Sequence, residues 1–251
     1  MTLKTVLLDL DNTLILFDET EFYLRYMERI VPFFADLVPS DQFSDRLLRG
    51  IRGLLKNNGE VNNSSFFMNL FCDGDSSDRQ AVWDRFMLFY EKEYEKVPVA
   101  ATAPDSLERV LDQLGDWGIE LVVATNPLFP EIAQEKRMAW VGLDGNRFRL
   151  VTHLENMSYV KPRVEYYRQI SDMIGRAPEE CMMVGNDAVN DMVAGSVGMA
   201  TYLTTEAGAI DYSAVTKGRK VRTGKAHRAD YSGTLVDLLP VVDRLRAEDD
   251  S

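Results

Sequence analysis

The chain has 251 residues, of which 45% are hydrophobic and 27% charged, and a formal net charge of -12 at pH 7. That length accommodates one large or two smaller domains, each with a buried core. The acidic balance argues against a general nucleic-acid or anionic-membrane partner, which needs a basic surface, but not against a small anionic ligand held by a local field. No apolar run approaches the roughly 18 residues of a membrane span. The only two cysteines, Cys72 and Cys181, lie far apart in apolar contexts and read as reduced core residues. The N-terminus shows no basic region followed by an apolar segment, so the expected setting is a reducing cytoplasm.

The first element is a strand, Val6-Leu7-Leu8, running directly into Asp9-Leu10-Asp11-Asn12-Thr13. Residues two apart on a strand share a face, so Asp9 and Asp11 point roughly together where the strand gives way to a turn. Two carboxylates that close repel each other, and a divalent cation is the usual remedy.

From about Glu19 to Lys96 the pattern is helical. Phe22, Tyr26, Ile30, Phe33, Phe34 and Leu37 recur at spacings of three and four. Pro39-Ser40-Asp41 restarts the chain, and Phe43, Leu47, Leu48, Ile51 and Leu55 form a second stripe that ends at Asn57-Asn58-Gly59. A third helix begins near Phe66, breaks at Asp73-Gly74-Asp75-Ser76, and is followed by a fourth over about Asp78 to Glu95. The uncharged stretch from Val97 to Pro104 reads as a linker or return strand.

Beyond it, strands and helices alternate, as in a parallel sheet covered on both faces. A helix at Ser106–Leu114 precedes a strand at Ile119–Ala124, which ends at Thr125-Asn126-Pro127. A helix at Phe129–Trp140, a strand near Leu150–Thr152 and a helix at Arg163–Ile174 come next. The apolar strand Cys181–Val184 then ends at Gly185-Asn186-Asp187, and a short helix leads to a strand at Ala200–Leu203. Residues from about Thr205 to Ser232 look irregular, as a flap or with short strands hidden inside, before a last helix near Leu235–Leu245.

Three buried-strand runs therefore end in polar residues. In open parallel sheets ligands bind beyond the carboxyl ends of the strands, so these clusters should converge at one edge. Four short segments, in this order, resemble the signature of the haloacid dehalogenase-like superfamily. They are Asp9-Leu10-Asp11-Asn12-Thr13, Thr125 at a strand end, Lys161 in Val160-Lys161-Pro162, and Gly185-Asn186-Asp187-Ala188-Val189-Asn190-Asp191-Met192. The resemblance implies a Rossmann-like α/β core over residues 1–17 and 98–251, interrupted by an inserted all-α cap of the C1 type over residues 18–97.

It also implies a chemistry: Mg²⁺-dependent hydrolysis of a small phosphate monoester through an aspartyl-phosphate. Asp9 is the expected nucleophile and Asp11 the acid and base, with Thr125 and Lys161 completing the catalytic set. Asn12, Thr125, Asn126 and Lys161 are the expected substrate contacts. Asp9, Asp11 (through its carbonyl), Asp187 and Asp191 are the expected metal group, with Asp191 orienting metal-bound water or Lys161. Many relatives carry Asp directly after the glycine where this chain has Asn186, so a register with Asn186 as ligand stays open. The presence of Asp11 favours phosphoryl transfer, because dehalogenases of the family lack that second acid. A phosphomutase, or a phospho-ligand-binding protein on the same fold, remains an alternative.

The helical block carries Arg25, Arg29, Arg46, Arg49, Arg52 and Lys56, read as mostly solvated with one or two available to a second anionic group. Tyr23, Phe66 and Phe67 are read as core. Lys217, Arg219, Lys220, Arg222, Lys225 and Arg228 make a locally basic late segment, read as a solvated loop. The expected partner is a small phosphorylated metabolite, with no nucleic acid or membrane; oligomeric state is not legible.

Overall fold

A computed structural model describes residues 2–73, 79–208 and 225–247. Its frame is a six-stranded, all-parallel sheet: β1 (Thr5–Leu8), β2 (Glu120–Val123), β3 (Leu150–Val151), β4 (Cys181–Gly185), β5 (Ala200–Thr204) and β6 (Tyr231–Gly233). The order across the sheet is β3-β2-β1-β4-β5-β6. The chain thus steps outward from β1 to β3 and returns on β1's other side at β4. That reversal opens a crevice beyond the carboxyl ends of β1, β2 and β4.

Strand parity sorts the side chains between two faces. Val6, Leu8, Leu121, Val123, Met182 and Val184 pack with α5 (Leu107–Asp116) and α8 (Leu238–Ala247). Leu7, Val122, Cys181 and Met183 pack on the opposite face with α7 (Val164–Ile174). Asp9 continues the parity of Leu7, which directs it toward the face where α7 begins. Helix α6 (Glu131–Ala139) follows β2.

Between β1 and α5 lies the helical block: α1 (Glu19–Phe33), α2 (Ser40–Gly53), α3 (Asn63–Phe71) and α4 (Arg79–Lys92). Its side chains pack around Phe34, Phe43, Phe71 and Phe86, with Phe34 and Phe86 ring centroids 4.5 Å apart, in a cluster that also takes in Ala133, Leu154 and Val160 of the α/β part. Asp18 caps α1 by accepting from the amides of Thr20 and Glu21 at 2.8 and 2.9 Å. The start of α3 is tied to the α/β part through backbone bonds from Asn63 to Met157 (2.7 Å) and Ser64 to Leu154 (2.9 Å).

Several boundaries differ from the sequence expectation. Helix α3 starts at Asn63 rather than near Phe66, because the Asn62 side chain accepts from the Ser65 amide and supplies an earlier cap. Strand β6 lies inside the stretch read as irregular; Tyr231-Ser232-Gly233 is short, polar and glycine-bearing, and among the described residues it pairs with β5 alone. The last helix starts at Leu238, since the Asp237 carboxylate closes a turn on the Thr234 amide and hydroxyl. The stretch before α5 makes a single antiparallel bridge, Leu16 to Thr102. Asp78 and residues 74–76, expected at a helix start and a break, lie outside the described residues, as do Lys217, Arg219, Lys220 and Arg222; Lys225 and Arg228 are exposed. No described helix is long and apolar enough to cross a membrane, and both cysteines are buried outside any disulfide.

Candidate active site

Lys161 lies between β3 and α7, and its ammonium bridges two acids brought in by separate strands. Nζ donates to Asp9 Oδ1 at 2.8 Å and to Asp191 Oδ1 at 2.6 Å. The Lys161 side chain is 1% exposed and that of Asp9 11%. The second oxygen of Asp191 accepts from the Asp187 amide at 2.9 Å. With one oxygen on Lys161 and the other on a loop amide, Asp191 stands behind the ammonium, where the expectation that it orients Lys161 puts it.

Such a close approach demands glycine at the end of β4. A Cβ added at Gly185 would meet the Asp191 carboxylate at 2.2 Å. Asp187 is buried, and its carboxylate organises its own loop. Oδ1 accepts from the amides of Val189 (2.8 Å) and Asn190 (3.1 Å), and Oδ2 from the Asn190 side chain (2.8 Å). Both oxygens of Asp187 are thus anchored to the loop that borders the cavity.

Thr125 follows β2 and is 2% exposed. Its carbonyl accepts from Tyr166 Oη at 2.7 Å and Thr152 Oγ1 at 2.8 Å, which fixes the turn that presents its side chain. The Asn126 side chain accepts from the Lys161 amide at 3.3 Å, joining the two loops. Asp9, Asp11, Thr125, Asn126, Lys161, Asn186, Asp187 and Asp191 all line one cavity of about 680 Å³ between the sheet edge and the helical block.

Asn12 is the exception. It adopts a left-handed conformation, φ 56°, which asparagine tolerates better than most residues. Its side chain accepts from the Phe17 amide (3.2 Å) and donates to Glu19 (2.8 Å), and it does not line the cavity. The turn aims its amide at the entry to α1, beside Phe17 and Glu19 of the lining.

Arg137, on α6, was missed in the sequence. Its side chain is 2% exposed and pairs with Asp11 Oδ1. The guanidinium lies over four rings, with centroids 5.6 Å away at Phe17 and Phe22, 4.9 Å at Phe129 and 5.8 Å at Trp140. A signal did exist, because Arg137 sits between Ala133 and Trp140 on the helix face that points inward.

Burial pushes the Asp9 carboxyl up to about 8, with the charges of Asp191 and Asp11 adding to the rise and Lys161 opposing it. Burial works against the Lys161 ammonium, but Asp191 and Asp9 outweigh it and hold its pKa well above normal. Four carboxylates at the cavity floor thus face two buried cations, Lys161 and Arg137. The donor set is all oxygen and negative in balance, which suits a hard divalent cation. Among the described residues no group of three or more His, Cys, Asp or Glu side chains makes a ready-built metal cluster. Mg²⁺ does not need one, since it binds through one or two carboxylates and keeps several waters. Asp9 and Asp187 line the cavity together and supply carboxylates of the kind such a cation takes.

Solved structures share the whole architecture. A HAD phosphatase from Thermococcus onnurineus is 21% identical, with 97% of this chain and 100% of that chain covered at a TM-score of 0.56. The L-2-haloacid dehalogenase RSc1362 is 19% identical over 97% and 100%, at 0.53. The HAD-hydrolase YfnB from Bacillus subtilis, bound to magnesium, is 17% identical over 97% and 100%, at 0.52. At these identities the likeness speaks for the fold. No curated protein sequence matches the chain. The family described as haloacid dehalogenase-like hydrolase matches residues 3–197, a span that takes in Asp9, Thr125, Lys161 and Asp191, and the chain belongs to that hydrolase family.

Proposed function

We propose that the protein is a Mg²⁺-dependent phosphatase of a phosphate monoester, with Asp9 as nucleophile. The observation that carries this reading is Asp11: a second acid lines the same cavity as the buried Asp9–Lys161 pair. Displacing halide from carbon needs no proton for the leaving group, whereas an alkoxide leaving phosphorus does.

Asp9 attacks phosphorus as the ester P–O bond breaks, and Asp11 protonates the departing oxygen. Asp11 then takes a proton from water as water attacks the aspartyl-phosphate, which releases phosphate and restores Asp9. Lys161 balances the charge of Asp9 and the phosphoryl oxygens, and the Thr125 hydroxyl binds one of those oxygens. Mg²⁺, held by Asp9, Asp187 and the Asp11 carbonyl, would neutralise the dianion and align it. Residues 18–97 act as a cap on a core formed by residues 1–17 and 98–251, excluding water from the intermediate.

The test is hydrolysis of p-nitrophenyl phosphate by purified protein, with Mg²⁺ or with EDTA, beside chloride release from 2-chloropropionate. Turnover of the phosphate only with Mg²⁺, lost in Asp9→Asn, is the expected result. Full turnover by Asp9→Asn, or halide release without phosphatase activity, overturns it.

A further inference from the structure

The cavity above Asp9 is larger and more apolar than a phosphate and a small polyol require. At about 680 Å³ it falls within the roughly 300–1,000 Å³ of sites for drug-sized ligands. On the side of the helical block its wall is made by Leu47, Leu48, Ile51 and Leu55 from α2 and the turn after it, Phe67 from α3 and Trp83 from α4. Leu48, Ile51 and Leu55 follow helical spacing, so one stripe of a helix faces the cavity. Unlike a stripe consumed by the core, this one stays partly exposed, as does Trp83. Tyr23 and Phe67, read from the sequence as core, also line the cavity, whereas Phe66 does not.

Several polar groups nearby are committed elsewhere. Tyr26 and Tyr90 hydroxyls bond each other at 2.9 Å, and Glu19 accepts from Asn12 at 2.8 Å. Arg25, Arg29 and Arg49 pair with Glu28, Glu93 and Asp73. Among the described residues, Arg52 is the one cation this block adds to the lining, and it is exposed. A sugar entering here would give up more bonds to water than these few groups could replace. An apolar group would gain from leaving water.

We infer that this wall is a subsite for an apolar leaving group, so that the substrate is an amphiphilic monoester: a phosphate at Asp9 and Lys161, carrying an alkyl or aryl body that lies against α2, α3 and α4. The inference rests on the phosphatase reading for the phosphate's place, and the cavity's continuity from Asp9 to Trp83 sets where the body goes.

The experiment uses linear alkyl phosphates from methyl to octyl with Mg²⁺, with hexyl phosphate compared against glucose 6-phosphate. Alkylphosphonates of the same lengths, which cannot be hydrolysed at phosphorus, are titrated in parallel by tryptophan fluorescence. Both kcat/KM and phosphonate affinity should rise about fourfold per methylene until the chain fills the cavity. Phosphonate affinity that climbs with length while no ester is hydrolysed supports the subsite and overturns the phosphatase. Hydrolysis that is flat in length, or a preference for glucose 6-phosphate over hexyl phosphate, overturns the subsite and leaves the phosphatase standing. Leu48→Trp and Ile51→Trp, at partly exposed positions, should move the optimum to shorter chains. A variant that only loosens the fold lowers every length by one factor, and an unmoved optimum in both overturns the assignment.

Discussion

Arg137 grips the carboxylate of Asp11 from inside a ring of four aromatic side chains, Phe17, Phe22, Phe129 and Trp140. The Asp11 side chain is 27% exposed, so the guanidinium is the buried partner and the carboxylate faces the cavity. Planar stacking and a directed donor come together in arginine alone. For the proposed phosphatase, Arg137→Met should lower kcat about ten- to a hundredfold with KM little changed, a fraction of what acid–base catalysis contributes. The carboxylate left behind is 27% exposed and can be solvated from the cavity, so the variant's Tm should stay within roughly 5 °C of wild type. Arg137→Lys should recover only part of kcat. Thermal melts and steady-state kinetics on both variants check the split, and a parallel loss of Tm and kcat would reduce Arg137 to a packing residue.

The buried Asp9 carboxyl has a consequence for metal-free protein. Its folded pKa of about 8 lies above the ordinary 3.8, so between those values the folded state holds a proton that the unfolded state has released. This contribution to stability is complete below about pH 4 and drains away as pH rises through 8. In EDTA, the Tm advantage of Asp9→Asn over wild type should therefore grow between pH 5 and pH 8. Mg²⁺ at pH 8 should raise the wild-type Tm and leave Asp9→Asn nearly unmoved, because a ligand stabilises only the state that binds it. Melts of both proteins across that range decide the matter; parallel curves would mean that burial does not govern Asp9.

At the end of β4 the geometry leaves no room for a methyl group. A Cβ on Gly185 would sit 2.2 Å from Asp191 Oδ2 and 2.4 Å from Cγ. That carboxylate is held by Lys161 on one side and the Asp187 amide on the other, so it cannot give way without breaking both bonds. Gly185→Ala should cost about 1–3 kcal/mol, as overpacking does, and uncouple Lys161 from its support. Denaturant melts measure the first effect and Mg²⁺-dependent turnover the second. Wild-type values for both would mean that the Asp191 carboxylate has another resting place.

Where sequence reading succeeded, it relied on local periodicity and on residues whose chemistry is rare by chance at strand ends. The apolar runs before Asp9, Thr125 and Gly185 announced β1, β2 and β4, and the parallel order followed from alternation. Asp9, Thr125, Lys161 and Asp187 meet in one cavity because β1, β2 and β4 are neighbours at the sheet's reversal. The losses have physical causes. Strand β6 is three residues with almost no apolar content, so nothing local marks it as sheet. Arg137 carries one local mark, its place on the inward face of α6, while the rings that hold it arrive from α1, the end of α6 and the segments after β1 and β2. The direction of the Asn12 side chain depends on a positive φ that composition alone does not reveal.

The two registers of the last motif can be separated by charge. Asp187 does two jobs in the structure: its oxygens cap the loop through Val189 and Asn190, and the same carboxylate lines the cavity. Asparagine at this position keeps an acceptor for both amides and removes the negative charge. If Asp187 is the metal ligand, Asp187→Asn should raise the Mg²⁺ concentration for half-maximal activity on the order of tenfold, since affinity follows ligand charge. Its Tm in EDTA should stay close to wild type, because the cap survives. Asn186 lies next to it on the cavity wall and is half-buried, but it offers only a neutral oxygen. Asn186→Ala should therefore shift the Mg²⁺ requirement by less than about threefold. A larger shift in Asn186→Ala than in Asp187→Asn would transfer the ligand role to Asn186, and Asp187 would keep only the loop.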